Sequence, residues 1–264
     1  MNKIRLIIII AGVVIVSAAG FFTYHQFKNS VSKTEVASQF NTASTTLNES
    51  ATSSHSIVIA KIPPYTGRPV AELIIDPNLE KQYTPVMLAD LKKNLQTLVS
   101  EIHNNSYNPD LWRDLGILKS SINDYVGARD AFLYWHILSP GNSIPLNDLA
   151  DLYAYHFNDK AKAEYYWKEA LKLDHDPNYY TQLADLYKYF YKDNDKVIAT
   201  ITEGLKNNPS DLNLMLYLGA FYRDIGNAKL ALTYYERVYQ KQPRPDIKEE
   251  IDRLKAQIQM TNSK

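Results

Sequence analysis

An apolar residue followed directly by a small one returns along this 264-residue chain at a nearly fixed step. The pairs are Leu115-Gly116, Leu149-Ala150, Leu183-Ala184 and Leu218-Gly219, set 34, 34 and 35 residues apart. A single globular core has no reason to hold such a period. A stack of similar helical units does, because each unit buries its apolar face only against its neighbours. The recurrence therefore predicts a solenoid, an architecture that presents an extended surface to another chain.

The residues that travel with each pair define the unit. Trp112 stands three positions before the first pair, and Ala128, Phe132 and Pro140 follow it. The fourth pair is followed by Tyr222, Gly226, Ala231, Tyr235 and Pro243. The second carries Tyr153, Ala163, Trp167 and Ala170, with its proline late, at Pro177. The third has Tyr180 before it, then Tyr187, Val197, Ile201, Gly204 and Pro209. Each slot has a physical role. Gly116, Ala150, Ala184 and Gly219 let the two helices of a hairpin approach, and Ala128, Ala163 and Ala231 do the same one helix later. Phe132, Trp167, Ile201 and Tyr235 are knobs between successive helices. The prolines cannot continue a helix and mark turns. Units two and three hold one residue more than the others between the pair and the second helix, which predicts a longer connection there.

This spacing resembles the tetratricopeptide repeat, W-x2-L-G-x2-Y, then A-x3-F, then P. The resemblance covers residues 108–243. It implies an all-α, right-handed superhelical array of about four helix hairpins, without catalysis or a cofactor of its own. It also implies that the first helix of each hairpin lines a concave groove. The family's groove slots fall on Asp110, Arg113, Asp114 and Ile117 in unit one, and on Asn147, Asp148, Asp151 and Tyr155 in unit two. In unit three they fall on Asn178, Gln182, Asp185, Lys188 and Tyr189, and in unit four on Asn213, Tyr217, Ala220 and Arg223. Some family members hold a peptide's C-terminal carboxylate with Lys, Arg and Asn in such slots. Here aspartates stand there instead, so a carboxylate clamp does not fit. An acidic, tyrosine-bearing surface suits a protein or peptide partner that is basic or proline-containing. The competing reading is a solvated acidic face with no ligand.

Two helices are predicted to close the array. One starts at the cap signal Thr84-Pro85 and spans 84–104. The other, 245–260, sets Ile247, Ile251, Leu254 and Ile258 on one stripe and leaves its charges on the other face.

The N-terminus sets topology. Lys3 and Arg5 lie in a basic tip, residues 1–5, and residues 6–22 carry no charge. Taken to residue 24, the run is long enough to cross a bilayer. Basic residues before it place the tip in the cytoplasm and the rest across the membrane, as a single-pass cell-membrane protein with extracytoplasmic repeats. A cleaved signal peptide, with Ser17-Ala18-Ala19 near the cut, is the competing reading. Residues 25–56 are rich in Ser, Thr, Asn and Ala and read as a flexible linker. Residues 57–83 read as an irregular, ordered segment. Its basic, proline-rich part either packs on the leading helix near Met87 and Leu91, through Ile62, Val70 and Ile74, or lies in the acidic groove.

Composition narrows the function. Lys plus Arg and Asp plus Glu both total 29, so no global charge draws the chain to nucleic acid. There is no cysteine, and the 6 histidines are scattered without metal-ligand spacing. No phosphate-cradling glycine loop or nucleophile elbow is present. Asp148, Asp151 and Asp185 could be imagined as a carboxylate cluster, but the plainer reading is an acidic groove face. The expectation is a membrane-anchored, non-enzymatic scaffold or adaptor. Alternatives are a chaperone-like binder of exported chains and an accessory subunit of an envelope enzyme that builds cell wall.

Overall fold

Each hairpin is held by one device repeated four times. The second helices are capped by Asp124, Asp159, Asp193 and Asn227, whose side chains accept from the amides of Gly127, Lys162, Lys196 and Leu230. The residue before each cap is left-handed: Asn123 at φ 60°, Asn158 at 55°, Lys192 at 54° and Gly226 at 82°. One left-handed residue ends the first helix and turns the chain into the next. The structure, a computed structural model, describes residues 62–262. Within them the regular elements are all helical.

A single turn, α1 (Pro77–Glu80), and the leading helix α2 (Pro85–Asn104) come first. The hairpins follow as α3 (Pro109–Ser121) with α4 (Tyr125–Leu138), α5 (Ile144–Asp151) with α6 (Lys160–Leu173), α7 (Pro177–Leu186) with α8 (Asn194–Asn207), and α9 (Leu212–Asp224) with α10 (Ala228–Lys241). The last helix is α11 (Pro245–Asn262). Each helix packs on the next in sequence, from α2 to α11, as nearest-neighbour stacking requires.

The extra residue of units two and three is not in the connection, where the sequence placed it. It lies inside the first helix, whose last turn widens to a π-helix over Leu152–His156 and again over Tyr187–Tyr191. In units one and four the cap amide reaches five residues back, Asp124 to Lys119 O at 2.9 Å and Asn227 to Tyr222 O at 2.8 Å. In units two and three it reaches six, Asp159 to Tyr153 O at 2.9 Å and Asp193 to Tyr187 O at 3.0 Å. Packing across the hairpin pins both the small residue and the cap, so only the last helical turn can absorb the insertion.

The core follows the repeat. Trp112, Leu115, Leu149, Leu183 and Leu218 are buried, with Ala128, Ala150, Ala163, Ala184 and Ala231 fully so. The knobs Phe132, Trp167, Ile201 and Tyr235 are buried too. A Cβ on Gly116 would lie 2.2 Å from the Phe132 ring, whereas one on Gly219 would meet Tyr235 at 3.2 Å. At the front, Thr84 Oγ1 accepts the Met87 amide and α2 buries Leu95, Leu98 and Ile102. At the back, α11 packs on α10 and buries Ile247, Ile251 and Leu254.

Residues 62–76 follow the expected path along the leading helix only in part, with Ala71 beside Leu95 and Val99. Ile62, Ile74 and Met87 are exposed, and it is Tyr65, Val70 and Leu73 that pack on the core. The segment lies on α3 and α4 of unit one. The Tyr65 ring lies tilted at 4.5 Å from Trp112 and edge-on at 5.4 Å from Tyr134, and the Tyr134 hydroxyl donates to Pro63 O at 3.1 Å. The acidic first-helix face is therefore not its seat. Residues 1–61, which hold the apolar run, the linker and the start of the irregular segment, lie outside the described residues. Among the described ones no helix is long and apolar enough to cross a membrane.

Candidate functional site

The face made by successive first helices holds the acidic residues named from the sequence, but most are engaged with each other. The residue before each Leu-small pair lies beside the residue two after the Leu of the preceding pair. Tyr217 donates to Asp185 Oδ1 at 2.7 Å, and Gln182 Nε2 donates to Asp151 Oδ1 at 3.1 Å. These two bonds tie unit four to unit three and unit three to unit two. The next rung would join Asp148 to Ile117, and Ile117 has no polar atom to give.

That break in the ladder changes the electrostatics. Burial, reinforced by the charge of Asp151 and opposed by a bond from Asn147, pushes the Asp148 carboxyl up to about 7. Burial also raises Asp151, to about 6, against the hydrogen bond from Gln182. Asn147 is held in place by Trp167, whose indole N–H donates to its Oδ1 at 3.1 Å. The Gln182 Oε1 is buried with no hydrogen-bond partner. The strip thus holds one buried acceptor that lacks a donor.

The cations of this face are all spoken for. Arg113 lies 2.7 Å from Asp110 and 3.0 Å from Asp114. Lys188 pairs with Asp224 at 3.2 Å, and Arg223 with Asp224 at 2.9 Å and Glu250 at 3.7 Å. Asn178 and Asn213 sit exposed in the first turns of α7 and α9.

Apolar surface completes the strip. Ile117, Tyr155 and Tyr189 are 53%, 59% and 55% exposed. Burial, then the carboxylates of Asp151 and Asp185, raises the Tyr155 hydroxyl, which places this ring beside both acids. Tyr155 and Tyr189 belong to the two π turns, so the inserted residue displaces the helix end that presents them. Sequence reasoning named the acids and the tyrosines of this face. It did not foresee the rung-by-rung bonding, although the slots alternate between acid and donor once the repeats are aligned.

No family model and no curated protein sequence matches the chain. Solved structures do. MamA shares 16% identity over 64% of this chain and 96% of its own, with a TM-score of 0.48. YrrB, described as a TPR protein with an unusual peptide-binding site, shares 14% over 61% of this chain and 84% of its own, at 0.46. PilF of Pseudomonas aeruginosa shares 16% over 64% and 76%, at 0.45. The likeness is one of overall helical shape.

Proposed function

We propose that this chain is a tetratricopeptide-type scaffold whose first-helix face binds a segment of another polypeptide bearing Lys or Arg, with proline or aromatic residues around it. The observation that carries this reading is the broken rung at Asp148. The half-buried Asp148, raised by burial and by Asp151, and the unpaired Gln182 Oε1 lie in one strip with exposed Ile117, Tyr155 and Tyr189. Cationic donors answer the acceptors, and the rings give stacking and cation–π contact. Asp110 and Asp114 pair with Arg113, and Asp185 accepts from Tyr217, so Asp148 and Asp151, the two acids raised by burial, form the recognition point. In the full chain, residues 6–24 serve as a retained single span with the N-terminus in the cytoplasm and the repeats outside it, in the cell envelope.

Fluorescence anisotropy with Lys-Pro-containing and Glu-Pro-containing peptides tests the binding. The basic peptide binds the full-length protein more tightly at pH 8 than at pH 5.5, because a cation prefers the ionised acids. Asp148→Asn combined with Tyr155→Ala weakens it at least tenfold. Equal affinity for both peptides, or indifference to these substitutions, defeats the proposal. Topology is tested separately, by a reporter fused after Lys264 and by the intact mass of the membrane-bound chain. A cytoplasmic reporter signal, or a mature chain that starts near Gly20, overturns it.

A further inference from the structure

The contact between residues 62–76 and unit one has the chemistry of a motif in its receptor. Tyr65 packs its ring against both Trp112 and Tyr134. Gly67 passes so close that a Cβ there would lie 2.5 Å from the Tyr65 hydroxyl and 2.6 Å from Asp130 Cβ. The amide of Arg68 donates to Asp130 Oδ2 at 3.0 Å, and its guanidinium reaches Asp124 Oδ1 at 2.8 Å. Further along, Glu72 O accepts from Lys119 and the Asp76 amide donates to Ile122 O at 3.1 Å. The recognised pattern is Tyr-x-Gly-Arg, read by an aromatic slot, a close backbone approach and two carboxylates.

The receptor also has contacts of its own. Trp112 and Tyr134 meet edge to face at 4.5 Å, and the Trp112 indole N–H donates to Ser106 O at 2.7 Å. Buried Asp124 also lies 3.2 Å from Lys119 and caps the Gly127 amide. The occupant is lightly held by comparison. Ile62, Pro63, Pro64, Thr66, Gly67 and Pro69 are exposed, and no described residue before Leu95 belongs to the buried core. Such a segment opens without unfolding the helices beneath it.

We propose that the front of unit one is a second peptide-binding site, which takes an extended Tyr-x-Gly-Arg segment from a partner protein and is filled by the chain's own residues 62–76 until that segment displaces them. The site is separate from the acidic first-helix face and stands or falls without it. The tethered segment competes at an effective concentration in the millimolar range, so it gates access: a partner binds only when local concentration or added contacts outweigh the tether.

The test uses the full-length chain and a fluorescent synthetic peptide with the sequence of residues 62–76. Tyr65→Ala with Arg68→Ala vacates the site and leaves every receptor residue in place. This variant binds the peptide at least tenfold more tightly than the wild type, and adding Asp130→Ala reverses the gain. Absence of binding to the vacated variant at unchanged helix content overturns the proposal, as does binding that ignores Asp130→Ala. Should the vacated variant lose helix content, hydrogen exchange on the wild type decides. The amides of Arg68 and Asp76 exchange at least a hundredfold faster than that of Ala128 if the segment opens alone. Exchange in step with Ala128 makes it an inseparable part of the fold and overturns the idea. Concentration-dependent dimers that vanish in Tyr65→Ala/Arg68→Ala would identify a second copy as the occupant and overturn the choice of a partner protein.

Discussion

Gly116 and Gly219 occupy the same slot of the repeat but not the same space. A methyl group at Gly116 would overlap the Phe132 ring, while at Gly219 it would only press on Tyr235. Gly116→Ala is therefore expected to destabilise by about 1–3 kcal/mol, and Gly219→Ala by clearly less. Equal thermal melts for the two variants would show that Phe132 moves aside freely. Phe132→Ala empties a buried site and should cost about 3–5 kcal/mol. Lys192 is the reverse case. It holds a left-handed conformation that the other units give to asparagine or glycine, and its side chain is exposed. Lys192→Asn should stabilise by up to about 1 kcal/mol, and a urea midpoint that does not rise would refute the strain.

At the scale of elements, the ladder on the first-helix face makes stability depend on pH. The folded pKa values of Asp148 and Asp151, about 7 and about 6, lie above the ordinary carboxylate value of 3.8. A raised acid binds its proton more tightly in the folded state. Its contribution is full below the unfolded pKa and is lost as pH rises through the folded one. The melting temperature should therefore fall between pH 5 and pH 8. Asp148→Asn should raise the melt at pH 8 and flatten the fall; a profile of unchanged steepness would show that neither acid is the source. Tyr217→Phe acts in the other direction. It strips Asp185 of its donor and should cost about 1.5–3 kcal/mol, the range for bonds to charged groups.

For the whole molecule, nearest-neighbour stacking means that ends matter more than in a globular core. Deleting the chain after Arg244 removes buried Ile247, Ile251 and Leu254. At about 1.5–3 kcal/mol per buried aliphatic side chain, the loss is up to about 4–9 kcal/mol, and the bared face of α10 becomes adhesive. Urea denaturation and light scattering should show a lower midpoint and self-association. A monomer with wild-type stability would mean that α11 does not cap the stack.

The period of the Leu-small pair was sufficient to read the helical stack and its knobs, and a cap signal and an apolar stripe gave the terminal helices, because these rest on local periodicity and on contacts between neighbouring units. The acids of the first-helix face were legible for the same reason: one face of one helix is spelled out by residues three or four apart. Three matters waited for the tertiary structure. The inserted residue of units two and three widened a helix end, since packing on both sides of it left no other place. The sequence named Asp148, Asp151 and Asp185 alike, yet Asp151 and Asp185 accept from Gln182 and Tyr217 of the next unit, while Asp148 is bonded only within its own unit, by Asn147. The path of residues 62–76 has no periodicity to read, because an extended segment is placed by single anchors. Tyr65, Gly67 and Arg68 find Trp112, Asp124 and Asp130 only after unit one has folded and brought those three side chains together.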